Sequence, residues 1–485
     1  QDMTLAFESA GALAQKIRDK EISARELTDY YIDRIERLDG PVNAVPVRDF
    51  DRARGAADAA DQAQAAGQSL GALHGVPMTI KESYNIAGLP TTWGRPELHD
   101  NLAAEDSEVV KRFKGAGAHF LGKTNVPINL ADFQSYNEVY GTTNNPWDGT
   151  RTPGGSSGGS AASLAAGFCG LDSGSDIGGS IRNPAHFCGV YGHKPTWGIV
   201  PTQGHALPGS LAPPDIAVVG PLARSAQDLS LAMDIVAGAN PLNAPGWKLD
   251  LPRPEKTSLS DYRVAIWPDD EAAPVSTDIS GRVQSLGDQL SRLGAKVSDT
   301  ARPDFDIDTS RQAYAYMLNG IMTARLPDEE FAQLQKHAES LAADDFSNSA
   351  VLARAGVQHH KDWLNWNNQR EGLRLSWRRF FDDWDILICP QTATTAFPQD
   401  QSDIRKRRIT VDNQSQEYFQ QLYWAGLTTV SYLPSTVFPT GPGADGLPIG
   451  LQAVGAEFDD YNTIHFSHLM AREFGGFTPP PGFED

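Results

Sequence analysis

The stretch GGSSGGSAASLAAGFCGLDSGSDIGGSIRNPAHFCGVYGHKPT, residues 154–196, sets two serine-bearing glycine turns on either side of a run of small residues. The run SAASLAAGFCG (160–170) reads as a buried helix entered from a glycine-rich loop. In the second turn, DIGGSIR (176–182), Gly178 and Gly179 precede Ser180, so no Cβ keeps a ligand away from the backbone N–H groups. A serine delivered by such a turn suits a nucleophile beside an oxyanion hole. No histidine–carboxylate pair stands near it in the chain to take its proton.

Outward from this stretch, residues 65–245 are short apolar runs punctuated by Gly, Pro, Ser and Thr. GVPMTIK (75–81) and AHFLGK (118–123) read as strands, and strands alternating with helices predict an α/β fold with a largely buried sheet. Residues 1–64 form a helical arm. In ISARELTDYYIDRIERLDG (22–40), Ser23 and Glu26 have capping-box spacing, Ile22 and Leu27 form a staple, and Gly40 is the expected stop. A Pro-rich crossing at 239–258 leads to a strand at YRVAIW (262–267) and a helix at ISGRVQSLGDQLSRLG (279–294). Residues 308–384 lack strand alternation and carry Tyr314, Tyr316, Trp363, Trp366 and Trp377; they read as a helical section that could line a substrate pocket or simply pack as core. WDILICP (384–390), STVFPTG (435–441) and GLPIGLQAVG (446–455) return to strand, and RKRR (405–408) is expected as a solvated loop.

The 485 residues, 40% hydrophobic and 21% charged, have the composition of a soluble globular protein. A formal net charge of −20 argues against direct binding to nucleic acid or an anionic membrane. Three cysteines without a C-x-x-C make no disulfide framework. No run approaches the ~18 apolar residues of a membrane span. No charged n-region with an apolar h-region opens the sequence, so a cytoplasmic location is expected, with a signal peptide removed before Gln1 left open.

Several motifs compete for the chemistry. GAHFLGKT (117–124) spells a P-loop, but its central residues read as strand interior and NVP follows where a helix is required. PGGSSGG (153–159) spells a nucleophile elbow around Ser156, the alternative of an α/β-hydrolase with Ser156 as nucleophile, yet TRTPGG makes a poor leading strand. His465 and His468 lack a third metal ligand of plausible spacing. The acidic doublets, Asp459–Asp460 among them, read as solvated faces or loop ends. Lys81 remains, at the end of an apolar strand where burial would favour its neutral form. Service as a base near neutrality requires its pKa to fall from ~10.4 to ~7–8, a differential of roughly 4 kcal/mol.

Ser156 and Ser180, 24 residues apart with Lys81 upstream, make residues 154–196 and the text from GVPMTIKES onward resemble the amidase signature family over most of the chain. The resemblance implies a single large α/β domain with a mixed central β-sheet covered by helices on both faces, its signature core at 65–245. It implies a Ser–Ser–Lys triad: Ser180 as acyl-accepting nucleophile, Ser156 as bridge after a cis bond from Gly155, and Lys81 as ultimate base. It implies an oxyanion hole from the N–H groups of Ile177, Gly178, Gly179 and Ser180, with Asp176 and Arg182 holding the turn in shape. The expected activity is hydrolysis of a small-molecule amide through an acyl-enzyme, extending to aryl amides, esters or carbamates, with no metal or organic cofactor and an open oligomeric state. A second implied reading is an amidase-like subunit of a tRNA-dependent amidotransferase. KES (81–83) and His193 depart from the family's common text.

Overall fold

The computed structural model describes residues 4–484. A three-stranded sheet joins β1 (Val47–Arg48), β2 (Pro77–Lys81) and β3 (His119–Thr124) in the order β1-β3-β2, with β2 and β3 parallel. A larger mixed sheet contains β4 (Asp172–Asp176), β5 (Tyr191–Lys194), β6 (Val218–Ala223), β7 (Arg263–Ile266), β8 (Lys296–Ser298), β9 (Ile386–Pro390), β10 (Ser435–Pro442) and β11 (Pro448–Val454). Its order is β8-β7-β9-β11-β10-β5-β6-β4, parallel across β8-β7-β9 and antiparallel beyond. Every residue of β9 and β11 is buried. Successive strand side chains point to opposite faces, so helices must cover both faces of this sheet, as expected.

The two sheets meet where the chemistry was expected. β2 runs beside the start of β4, with Thr79 N–H donating to Leu171 O at 3.2 Å. The helix Gly158–Ala165 packs against this junction with all eight residues buried. Its small side chains are a packing requirement: a Cβ on Gly159 would lie 2.2 Å from the backbone nitrogen of Asn125.

Local signals held with instructive exceptions. Ser23 caps the helix Ala24–Val42 by accepting from Glu26 N–H at 2.9 Å. The helix does not stop at Gly40; it runs through Pro41 to Val42, and Asn43 takes the left-handed conformation. Buried Asp39 fixes this ending by accepting the N–H groups of Ala44 and Val45 at 2.7 and 3.0 Å. Residues 308–384 fall in four helices, Ile307–Met322, Asp328–Ser340, Asn348–Gly356 and His360–Asp383. RKRR is only partly a solvated loop: Arg407 is buried and pairs with Asp132 at 2.7 Å. Asp460, expected on a solvated face or at a loop end, stands where a loop enters a helix but is fully buried; it sits 2.9 Å from Nε2 of His193, while its other oxygen accepts from Thr196 Oγ1 at 2.7 Å. The buried His193 thereby ties β5 to the N-terminus of the helix Asp460–Phe474.

The P-loop spelling is strand β3. Its Lys123 is buried and donates to the carbonyls of Glu82 and Pro90 and to Thr91 Oγ1 at 2.9, 2.6 and 2.9 Å, which leaves no phosphate cradle. His465 Nε2 lies 2.7 Å from the carbonyl of Lys256. No described helix is long and apolar enough to cross a membrane.

Replacing Gly159 with Ala forces a methyl group against the β3 exit at Asn125. The expected cost is about 1–3 kcal/mol, read as a lower urea midpoint at unchanged m-value.

Candidate active site

Lys81 ends β2, and its side chain is fully buried. Its Nζ lies 2.6 Å from Ser156 Oγ, 2.9 Å from Ser157 Oγ and 2.8 Å from Ser175 Oγ, with the Ser175 carbonyl at 3.4 Å. No carboxylate lies within ion-pair distance of the amine among the described residues. Burial therefore lowers the Lys81 pKa well below 10.5, although Asp176 and Asp172 pull the other way. Asp172 itself is buried, accepts from Thr79 Oγ1 at 2.6 Å, and is pushed up to about 7 by desolvation.

Ser156 follows a cis peptide bond from Gly155. Gly155 N–H donates to Asn183 Oδ1 at 3.0 Å, and Ser157 N–H donates to the Ser180 carbonyl at 3.1 Å, so the first glycine turn is sewn to the second. Ser180 is 8% exposed, and no hydrogen bond joins its hydroxyl to Ser156 or to any other protein group among the described residues. The structure thus brings Lys81 and Ser156 into contact and sets Ser180 on the same pocket wall with its hydroxyl free.

The turn that carries Ser180 is held by one carboxylate. Asp176 accepts from the N–H groups of Gly179 and Ile181, both at 3.0 Å, and pairs with the Arg182 guanidinium at 2.9 Å. Both side chains are fully buried. Burial alone would raise the Asp176 pKa, but Arg182 outweighs it and holds the carboxyl at about 2. Arg182 also donates to Thr428 Oγ1, Thr429 Oγ1 and Gln452 Oε1 at 2.7, 2.8 and 2.8 Å, anchoring the turn to the helix Leu422–Thr429 and to β11. Gly179 stands at φ +101°, a conformation L side chains rarely adopt, and a Cβ there would meet Gln391 at 2.7 Å.

One donor departs from the sequence expectation. The Gly179 N–H, counted with the oxyanion donors, is already given to Asp176 Oδ1. The N–H groups of Ile177, Gly178 and Ser180 have no acceptor among the described residues.

A cleft of about 290 Å³ opens over Ser156, Ser175, Ile177 and Ser180. Trp93, Leu130 and Leu207 line one part of it, and Met322, Arg325 and Leu326, from the end of the first helix of the 308–384 section onward, line another. The tryptophans of that section lie elsewhere: Trp366 stacks on Tyr316 and Trp377 on Phe381. Ser157, Ser175 and Asp172 went unnoticed in the sequence. Strand alternation in DSGSD could have marked Ser175 as facing the same way as Ser173 and opposite to Asp176, but nothing local pairs it with Lys81.

A family model described as Amidase matches residues 26–464. Indoleacetamide hydrolase of Bradyrhizobium diazoefficiens is 34% identical over 458 residues, covering 92% of this chain and 82% of that protein. A glutamyl-tRNA(Gln) amidotransferase subunit of Acaryochloris marina is 30% identical, covering 92% of this chain and 94% of that one. Among solved structures, a bacterial aryl acylamidase of the amidase signature enzymes family is similar with a TM-score of 0.79 and 25% identity, over 97% of this chain and 96% of that one.

Replacing Asp176 with Asn leaves Arg182 buried without its counter-charge. The expected loss is about 3–5 kcal/mol of stability, measured by chemical denaturation, together with loss of any reactivity of Ser180 toward serine-directed probes.

Proposed function

The chain belongs to the amidase signature family, and from that premise we propose that it hydrolyses a carboxylic amide through an acyl-enzyme on Ser180, with Ser156 and Lys81 as the proton relay. The observation that carries this reading is a lysine amine sealed from solvent, 2.6 Å from the hydroxyl of Ser156 and without an ion-pair partner among the described residues. Burial shifts such an amine toward its neutral form, the form that can accept a proton.

In the proposed sequence, Ser180 Oγ attacks the carbonyl carbon while its proton passes to Ser156 Oγ and the Ser156 proton passes to Lys81. This needs a Ser180 rotamer that faces Ser156, in keeping with catalytic hydrogen bonds that tighten only once substrate is bound. The tetrahedral oxyanion is received by the N–H groups of Ile177, Gly178 and Ser180, each such donor being typically worth ~2.7–4 kcal/mol of barrier. The proton returns through Ser156 to the departing nitrogen as the C–N bond breaks. Water then repeats the attack on the acyl ester and frees Ser180.

The apolar wall at Trp93, Leu130, Leu207 and Met322 suits an aryl or arylalkyl group beside the amide. The names of two relatives, indoleacetamide hydrolase and aryl acylamidase, point to the same substrate class. A second reading, an amidotransferase component that releases ammonia for partner chains, is favoured by the match to 94% of the Acaryochloris marina glutamyl-tRNA(Gln) amidotransferase subunit. Turnover of aryl amides by the isolated chain separates the two. Three free buried cysteines suit a reducing, cytoplasmic setting, which is part of the proposal.

Ser180→Ala is expected to abolish turnover of aryl amides, and Lys81→Ala to reduce it nearly as far. Ser156→Ala should cost several orders of magnitude in kcat. A fluorophosphonate should modify Ser180, as located by peptide mass mapping; modification of Ser156 instead would favour the elbow mechanism. The pH dependence follows from the lowered Lys81 pKa. The base is active when neutral, so kcat/KM should hold through neutral pH and fall on the acid side as Lys81 takes up a proton, with a limb midpoint well below 10.5. An acid limb at 10 or above would sink the relay.

A further inference from the structure

We propose that Tyr314, from the helix Ile307–Met322, is a positioning residue for the oxyanion hole, orienting and polarising the Gly178 N–H through the peptide it shares with Ile177. The inference rests on the reading of residues 177–180 as the oxyanion site. It goes beyond that reading by assigning a role to a residue far away in sequence that touches no substrate.

Tyr314 Oη donates to the Ile177 carbonyl at 2.8 Å. That carbonyl and the Gly178 N–H belong to the same planar trans peptide and point in opposite directions. Holding the carbonyl on one side of the turn therefore aims the N–H to the other. A donor on the carbonyl also draws electron density from the peptide nitrogen, which makes the N–H a stronger donor in turn, the cooperativity of hydrogen-bond chains.

The neighbouring peptides are fixed by other means. Asp176 takes the N–H groups of Gly179 and Ile181, and the Gly179 carbonyl accepts from Asn183 N–H at 2.6 Å, whereas the Ile177–Gly178 peptide has Tyr314 as its one hydrogen-bond partner among the described residues.

The packing around Tyr314 is built for this contact. Its residue is 5% exposed, and its ring lies directly on Gly426, where a Cβ would come within 2.3 Å of a ring carbon. Its hydroxyl lies close to Gly178 itself, 3.2 Å from where a Cβ would stand, with Leu422 on the other side of that position. A phenol packed for bulk alone would not need its oxygen at this carbonyl. The Ile177 carbonyl is the one hydrogen-bond partner of that oxygen among the described residues.

The test compares Tyr314→Phe with the native enzyme on an aryl amide, a trifluoromethyl ketone analogue and the carboxylate product. Phe keeps the ring on Gly426 and removes only the donor. The expected result is a kcat lowered about tenfold, equivalent to about 1.4 kcal/mol, with KM and product inhibition within twofold. Analogue affinity should weaken by the same factor as kcat, because only the oxyanion form calls on Gly178. If the variant does not fold, 3-fluorotyrosine at 314 supplies a more acidic donor on the same ring, and analogue affinity should rise. Two results overturn the proposal: kcat and analogue affinity within twofold of native, or KM and product inhibition worsening in step with analogue affinity, which would make Tyr314 a pocket-shaping residue only. Ser180→Ala is run beside it. Retained turnover in that variant defeats the acyl-enzyme reading, whereas a dead Ser180→Ala with a native-like Tyr314→Phe defeats this inference alone.

Discussion

A primary amine carried to the end of a buried strand without a carboxylate to meet it is the constraint around which the centre of this molecule is arranged. Three hydroxyls and a carbonyl surround Lys81 Nζ, all within 3.4 Å. An ammonium there would lose its hydration and find only neutral dipoles in contact, so burial shifts the group toward the neutral amine. The nearest acids, Asp172 and Asp176, act on it only at a distance, and each is held by other partners: Asp172 by Thr79, Asp176 by Arg182. Had either carboxylate reached the amine, it would have produced an ion pair and no base.

The acidic group that does carry full charge is spent on geometry. Asp176 lies next to Lys81 in influence, yet its oxygens are committed to the turn backbone and to Arg182, whose other donors reach the helix Leu422–Thr429 and β11. A buried ion pair is weak evidence for stability in itself, because desolvation offsets its attraction. Here the pair connects a loop to two distant elements, so its value lies in fixing a backbone whose N–H groups must point outward. The chain therefore separates the two tasks of charge and basicity between groups that never touch.

Much of this was legible in the sequence because it is local. The strand text around Lys81, the small-residue helix after residue 157 and the two glycine turns each occupy a continuous stretch, and β2, the helix Gly158–Ala165 and the turn after β4 appear where those patterns stand. What escaped reading depends on partners far along the chain. Asp460 looked like a solvated doublet until β5 supplied His193, and Arg407 looked like one of four surface cations until Asp132 met it. The Gly40 stop failed for the same reason: Asp39 caps the backbone beyond it and extends the helix past a residue that would otherwise end it. That the Gly179 N–H donates to Asp176 was not legible either, because a turn's sequence names its donors without saying which of them its own carboxylate takes.

The helical section at 308–384 meets the cleft and the Ser180 turn at two different points of one helix. Its first helix places Met322 on the wall of the cleft while Tyr314, about two turns earlier, lies beneath the turn that carries Ser180. Residues eight apart on a helix are near neighbours on one face at 3.6 residues per turn and lie about 12 Å apart along the axis. A single helix therefore spans from the cleft wall to the layer behind the turn that carries Ser180. The shape of the cleft at residue 322 and the hold on the Ile177 carbonyl therefore rest on one helix, although the two residues face different parts of the molecule.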